Sequence, residues 1–385
     1  MNADRPFAHA PEPAMNRSTV VFVRVLALVA AALLPLVAVS ARALDADPWW
    51  PDRNFNQGNY IVDAFAGGLD RSHAAYKVAR MFDGDDSTVV AGLVTPLAGG
   101  GIGNLGLIRL THSFRAPWTQ ATAPYGHNGN EYLIYPNDPA IQYTAVLALK
   151  VYLDRIFVLV DRALPGGDSD VHVIVFSDQG QFLSDTRAFG SSAHERGAGL
   201  EVWGAGSGVV KVGVVVTRTL DGISRPQFRR FQLQGNGLLA ADGLVETYTT
   251  FPCDIRSCHA NATAYAPFAE RIYIAGSVHQ VGDDYDYFAM AIDKQGMVDT
   301  FFGQSGMRVV AFDQPGSSLR DWLVDIDVLE RTVGGFQTQQ IVLVGEVAQR
   351  CRGSIGVVKL ITGGLLAQAF GAGGKDERSE EHTSE

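Results

Sequence analysis

The chain has 385 residues, 46% of them hydrophobic and 19% charged, enough apolar material for a large core and too little charge for a disordered protein. Its net charge of −10 repels phosphate backbones, so nucleic acid is not an expected partner. The 42 glycines exceed the average usage of about 7% and ask for many tight turns between short strands rather than long helices.

Residues 1–43 read as upstream sequence followed by a cleavable export signal. Arg17 and Arg24 lead into the apolar run 25–39, and Ala41-Arg42-Ala43 offers a small-residue cleavage site. The run is short for a membrane span. The mature chain is therefore expected to be exported, to the periplasm, the medium or the cell surface, without an integral membrane span.

Four strand-like runs follow, at 60–65, 74–81, 88–94 and 105–110, separated by Gly67-Gly68, Asp83-Gly84 and a glycine-rich loop. In that loop Gly101, Gly103 and Gly106 have the spacing of a dinucleotide-binding turn. Such a turn must open a helix whose amides meet the pyrophosphate, whereas Leu107-Ile108-Arg109-Leu110 is strand-like. A hairpin accounts for the glycines. The acidic clusters Asp83, Asp85, Asp86 and Asp283, Asp284, Asp286 carry oxygens that could serve calcium. They lack the alternation of a dedicated calcium loop, and aspartate also favours plain turns.

Further along, His127 with Glu131 and His194 with Glu195 come nearest to a catalytic or metal pair. Both stretches lie among Gly, Asn and Ser and read as loops, and two lone histidines do not make a zinc site. Neither a Gly-x-Ser-x-Gly elbow nor a zinc-protease helix is present in the sequence. No catalytic, cofactor-binding or metal-ligating residue is assigned. Trp118, Trp203, Trp322 and Tyr285 could line a carbohydrate-binding face or fill a core. Cys253 and Cys258 are the candidate disulfide, stabilising by roughly 1 to 2 kcal/mol. A metal pair is disfavoured because no second cysteine pair exists, and Cys351 is left over.

The organising feature is a repeat. Short β-branched runs end at Gly92, Val160, Val216, Gly276 and Gly345, which recur every 56 to 69 residues. A longer similarity joins 287–303 to 356–371, each a strand-like run, a glycine turn and a Phe-Gly pair. Each period holds about four short strands, which predicts antiparallel meanders. One such sheet cannot bury both of its faces alone, and radial stacking into a β-propeller is the usual solution.

The stretches DAFAGGLDRSHAAYKVARMFDGDDSTVVAG (63–92) and DYFAMAIDKQGMVDTFFGQSGMRVVAFD (286–313) resemble the delta-60 repeat family of bacterial proteins. The likeness extends over 48–375, strongest at the two ends. It implies an all-β propeller of four-stranded antiparallel blades, about five repeat units being visible, and says almost nothing of biochemical role. The expected domains are the leader 1–43, the propeller 44–377 and a non-native, adapter-like tail 378–385. A partial copy at 51–65 could join the C-terminal copy to close the ring.

With no convergent acid, base or nucleophile legible, the function expected is that of an exported binding or surface-interaction scaffold. Its partner would be a protein or a carbohydrate, met by loops such as 112–131 and 244–268. Two alternatives stand beside it: a propeller hydrolase or lyase with a site at the central channel, and a structural envelope component. The hydrolase reading predicts inward-pointing His, Asp or Arg from several copies at one level of the ring.

Overall fold

A computed structural model describes residues 71–81, 87–96, 103–110, 132–135, 141–165, 168–190, 194–250, 253–282, 284–312, 320–333, 335–349 and 352–379. The partial copy at 51–65, the acidic turn at 83–86, Trp118, His127, Glu131 and Cys351 lie outside them.

The described residues form a β-propeller of five blades, each an antiparallel meander. The first blade is β1 (Arg71–Arg80), β2 (Thr88–Pro96), β3 (Asn104–Leu110) and β4 (Tyr132–Tyr135). The second is β5 (Tyr143–Tyr152), β6 (Arg155–Ala163), β7 (Ser169–Ser177) and β8 (Phe182–Phe189). The third is β9 (His194–Gly204), β10 (Val210–Leu220), β11 (Ile223–Leu233) and β12 (Leu239–Ala241), with β13 (Glu246–Thr247) also on β11. The fourth is β14 (Cys258–Ala266), β15 (Arg271–His279), β16 (Tyr285–Asp293) and β17 (Met307–Val310). The fifth is β18 (Asp321–Val333), β19 (Phe336–Gln349), β20 (Arg352–Ile361) and β21 (Leu365–Leu366), with β22 (Lys375–Ser379) also on β20. Sequence periodicity expects the run 60–65 as a strand of the first period. That run lies outside the described residues, and β4 is the fourth strand of the first sheet.

The first strand of each blade packs on the first strand of the next, from β1 through β5, β9 and β14 to β18. Four apolar cores then fall between consecutive blades, uniting blades one and two, two and three, three and four, and four and five. Strand β6 shows how one run serves two of them. Ile156, Val158 and Val160 enter the first core, while Phe157 and Leu159 enter the next. Successive side chains point to opposite faces of a sheet. With a neighbour on each face, the strand is apolar throughout instead of alternating.

The β-branched runs found in the sequence are the second strands of the five blades, and their terminal residues share one structural place. Gly92, Val160, Val216, Gly276 and Gly345 pair with Ala75, Val146, Gly197, Ala260 and Leu323, and at each of these pairs the inner strand bulges. Blades two and three carry valine at this place, whereas at Gly276 and Gly345 the bulged backbone comes too close for a side chain. A Cβ on Gly276 would overlap the His259 carbonyl and stand 2.8 Å from Ala260 Cα, and one on Gly345 would overlap the Trp322 carbonyl oxygen.

The longer similarity is equally literal. Asp299 N donates to Ala291 O, Phe302 N to Asp299 O and Gly306 N to Phe302 O. Their counterparts run from Ala367 N to Lys359 O, Phe370 N to Ala367 O and Gly374 N to Phe370 O. At the other motif weighed in the sequence, Gly103 forms a bridge with Tyr143 and Gly106 lies within strand β3.

Candidate functional site

A pocket of about 450 Å³ opens where the inner strands of blades two to five begin. Bulges re-aim side chains, and residues around the bulges of β5, β9 and β14 line its wall.

The residue that follows each repeat terminus sets the pocket's frame. In blades two, three and four it is Asp161, Thr217 and Ser277, and each clasps the bulge of the next blade's inner strand. Asp161 Oδ1 accepts from Gly197 N at 3.0 Å, Thr217 Oγ1 donates to Ala260 O at 3.1 Å, and Ser277 Oγ accepts from Leu323 N at 2.9 Å. Two of these clasps are neutral hydroxyls. The third is a buried carboxyl, and burial pushes its pKa up to about 6 against the opposing pull of the Gly197 amide and the Arg196 guanidinium. Below that pH Asp161 is a neutral acid facing the pocket.

Strand β9 supplies three consecutive lining residues, His194, Glu195 and Arg196. The expectation that His194 and Glu195 sit in a loop is corrected here: they begin an inner strand. The glycines that suggested a loop, Gly197 and Gly199, flank its bulge. Glu195 is buried, forms an ion pair with Arg218 at 3.7 Å, and accepts the Ser169 hydroxyl on its backbone oxygen at 3.1 Å. His194 Nδ1 lies 3.1 Å from Asp168 Oδ1. Arg196 is exposed and has no hydrogen bond or ion pair among the described residues, yet its charge acts on both Asp161 and His259.

The opposite wall is aromatic. His259 and Trp322 line the pocket with ring centres 5.8 Å apart, and Tyr285 stands behind them, 6.2 Å from His259 and 5.6 Å from Trp322. Burial, then the charges of Arg196 and His279, hold the His259 pKa below its ordinary value. The bulge residue Asn261 donates to Leu323 O at 2.6 Å, tying this wall to the fifth blade. Of the other sequence-selected aromatic residues, Trp203 is buried in the core between blades three and four. Cys253 and Cys258 are joined, with Cα atoms 5.5 Å apart, immediately before His259. Arg225 holds the same loop by donating to Cys253 O and Asp254 O at 3.2 and 2.8 Å.

Further along the same inner strands Glu201 is fully buried, paired with Lys150 at 2.9 Å and accepting from Thr263 Oγ1 at 2.9 Å. Burial raises its pKa. Among the described residues no group of three or more His, Cys, Asp or Glu is arranged to hold a metal ion. For the second acidic cluster considered for calcium, Asp286 Oδ2 is engaged by Gln280 Nε2 at 2.6 Å.

Sequence reading missed Asp161, Arg196 and His259. A signal for the first existed: four of the five repeat termini are followed by a polar residue, namely Asp161, Thr217, Ser277 and Glu346. Chemically, the arrangement combines a carboxyl whose pKa burial raises, a second carboxyl paired with Arg218, a cation with no ion pair among the described residues and an aromatic wall.

No protein-family model and no curated protein matches the chain. Among solved structures it is similar to a thermostable family-43 glycoside hydrolase, at 9% identity and a TM-score of 0.39 over 80% of this chain and 93% of the other. It is also similar to a GH32 β-fructofuranosidase of Bombyx mori, at 7% identity and a TM-score of 0.34 over 73% and 62%.

Proposed function

We propose that this chain is an exported propeller hydrolase whose pocket at the start of the inner strands cleaves a glycosidic bond. Asp161 is the proton donor and Glu195, paired with Arg218, is the second carboxyl, as base or nucleophile. One observation carries the reading. The clasp between blades that Thr217 and Ser277 make with hydroxyls is made at Asp161 by a carboxyl, although desolvating it disfavours its charged form. A hydroxyl serves that structural role without this cost, so the carboxyl is retained for its proton. Two carboxyls lining one pocket are the equipment of glycoside hydrolysis. The Trp322 and His259 rings, with the hydroxyls of Thr144 and Thr219, suit a substrate with one apolar face and many hydroxyl groups.

This reading takes up the hydrolase alternative in place of the scaffold that sequence alone put first. It rests on ionisable groups from several blades converging at one level. The expected signal at 1–43 supports export.

The test is release of reducing ends from a panel of neutral and acidic polysaccharides and aryl glycosides. Wild type turns over at least one member, with a rate that falls as pH rises through about 6. Asp161→Asn and Glu195→Gln each lose on the order of 100-fold or more, and aryl glycosides with acidic leaving groups partly rescue only the Asp161 variant. Turnover unchanged in Asp161→Asn contradicts the assignment. A wild type inert across the panel returns the pocket to a binding role.

A further inference from the structure

We infer that the pocket selects a carboxylate-bearing sugar, a uronic acid or a polymer of one, and that Arg196 is the residue that reads the charge. This rests on the glycosidic reading above and names its substrate class.

The argument is one of charge matching across the pocket. Of the ionisable groups on its wall, Glu195 is paired with Arg218, and His194 Nδ1 lies 3.1 Å from Asp168 Oδ1. His259 is half-buried, packed against Trp322, and its pKa is held down. Asp161 is neutral over the range in which it can donate a proton. Arg196 alone carries a charge with no hydrogen bond or ion pair of its own among the described residues, while lining the cavity. A guanidinium presents a rigid fork of donors that matches a carboxylate. Its neighbours on β9 have partners. Its own position is the last before the Gly197 bulge, where it lies close enough to both Asp161 and His259 for its field to reach them. A cation lining the same pocket as the acid and the aromatic rings, and acting on both Asp161 and His259, can meet a charged substituent of a sugar bound there. A neutral sugar leaves that charge uncompensated, whereas a uronate meets it.

The test is equilibrium binding, by calorimetry, of galacturonate and glucuronate and of their methyl esters, which keep shape and hydroxyls and lose only the charge. Full-length wild type, Arg196→Gln and Arg196→Lys are compared, with thermal unfolding as a check that the exposed substitutions leave the fold intact. The expected result is at least one uronate bound about tenfold or more tighter than its ester by wild type. That preference is lost in Arg196→Gln and partly kept in Arg196→Lys. Equal binding of acid and ester by wild type, or a preference that survives Arg196→Gln, overturns the charge selection and leaves the glycosidic reading standing. Binding of none of the four compounds overturns the charge selection, and turnover of the neutral members of the panel above then decides the glycosidic reading.

Discussion

A carboxyl placed where its neighbours use hydroxyls leaves a thermodynamic trace. The Asp161 pKa, about 6 in the folded chain against 3.8 for the free group, means that between those values the folded state holds a proton the unfolded chain has released. Stability from this group is therefore complete below about pH 4 and is lost as pH rises to 6. Asp161→Asn keeps an oxygen for the Gly197 amide and removes the titration. It is expected to be more stable than wild type at pH 7 by on the order of 3 kcal/mol, with most of that difference gone near pH 4. Urea unfolding at the two pH values measures this. A variant less stable than wild type at pH 7 marks Asp161 as a structural residue.

At the scale of elements, the inner-strand bulge positions the site, and its counterpart on the second strand constrains sequence. A methyl at Gly276 overlaps the His259 carbonyl, which is backbone and cannot turn aside. Gly276→Ala is expected to cost about 2 to 4 kcal/mol and to disturb the His259 wall. The same change at Gly222, an exposed turn glycine at φ 77 with open space around it, carries only backbone strain, about 1 kcal/mol. Chemical denaturation of both variants makes the comparison, and equal losses contradict the bulge account. This element was legible in outline. Gly276 and Gly345 mark the repeat in sequence because the bulged backbone leaves no room there for a side chain. The same bulge hides the site in the sequence: glycines such as Gly197 and Gly199 make the stretch that carries His194 and Glu195 read as a loop. Asp161 was obscured because it sits at the end of a strand that is apolar on both faces, and only pairing with the next blade shows what it touches.

At the scale of the molecule, four cores between five blades account for a sequence rich in continuous apolar runs and poor in alternation. The blade pattern was readable because each module repeats one solution. The site was not, because it draws on residues from different modules, and which side chains meet is set by the packing of one blade on the next. The described residues include no helix long and apolar enough to cross a membrane. Asp161 is buried only because its blade and the next lie together, its oxygen reaching the Gly197 amide across the seam. Its proton affinity thus reports the assembly and the chemistry at once. The most direct measurement is a carbon-13 NMR titration of the aspartate carboxyls, with Asp161 assigned by comparison with Asp161→Asn. A midpoint near 6 is the result expected, and a midpoint near 4, the value of a solvated aspartate, contradicts the account.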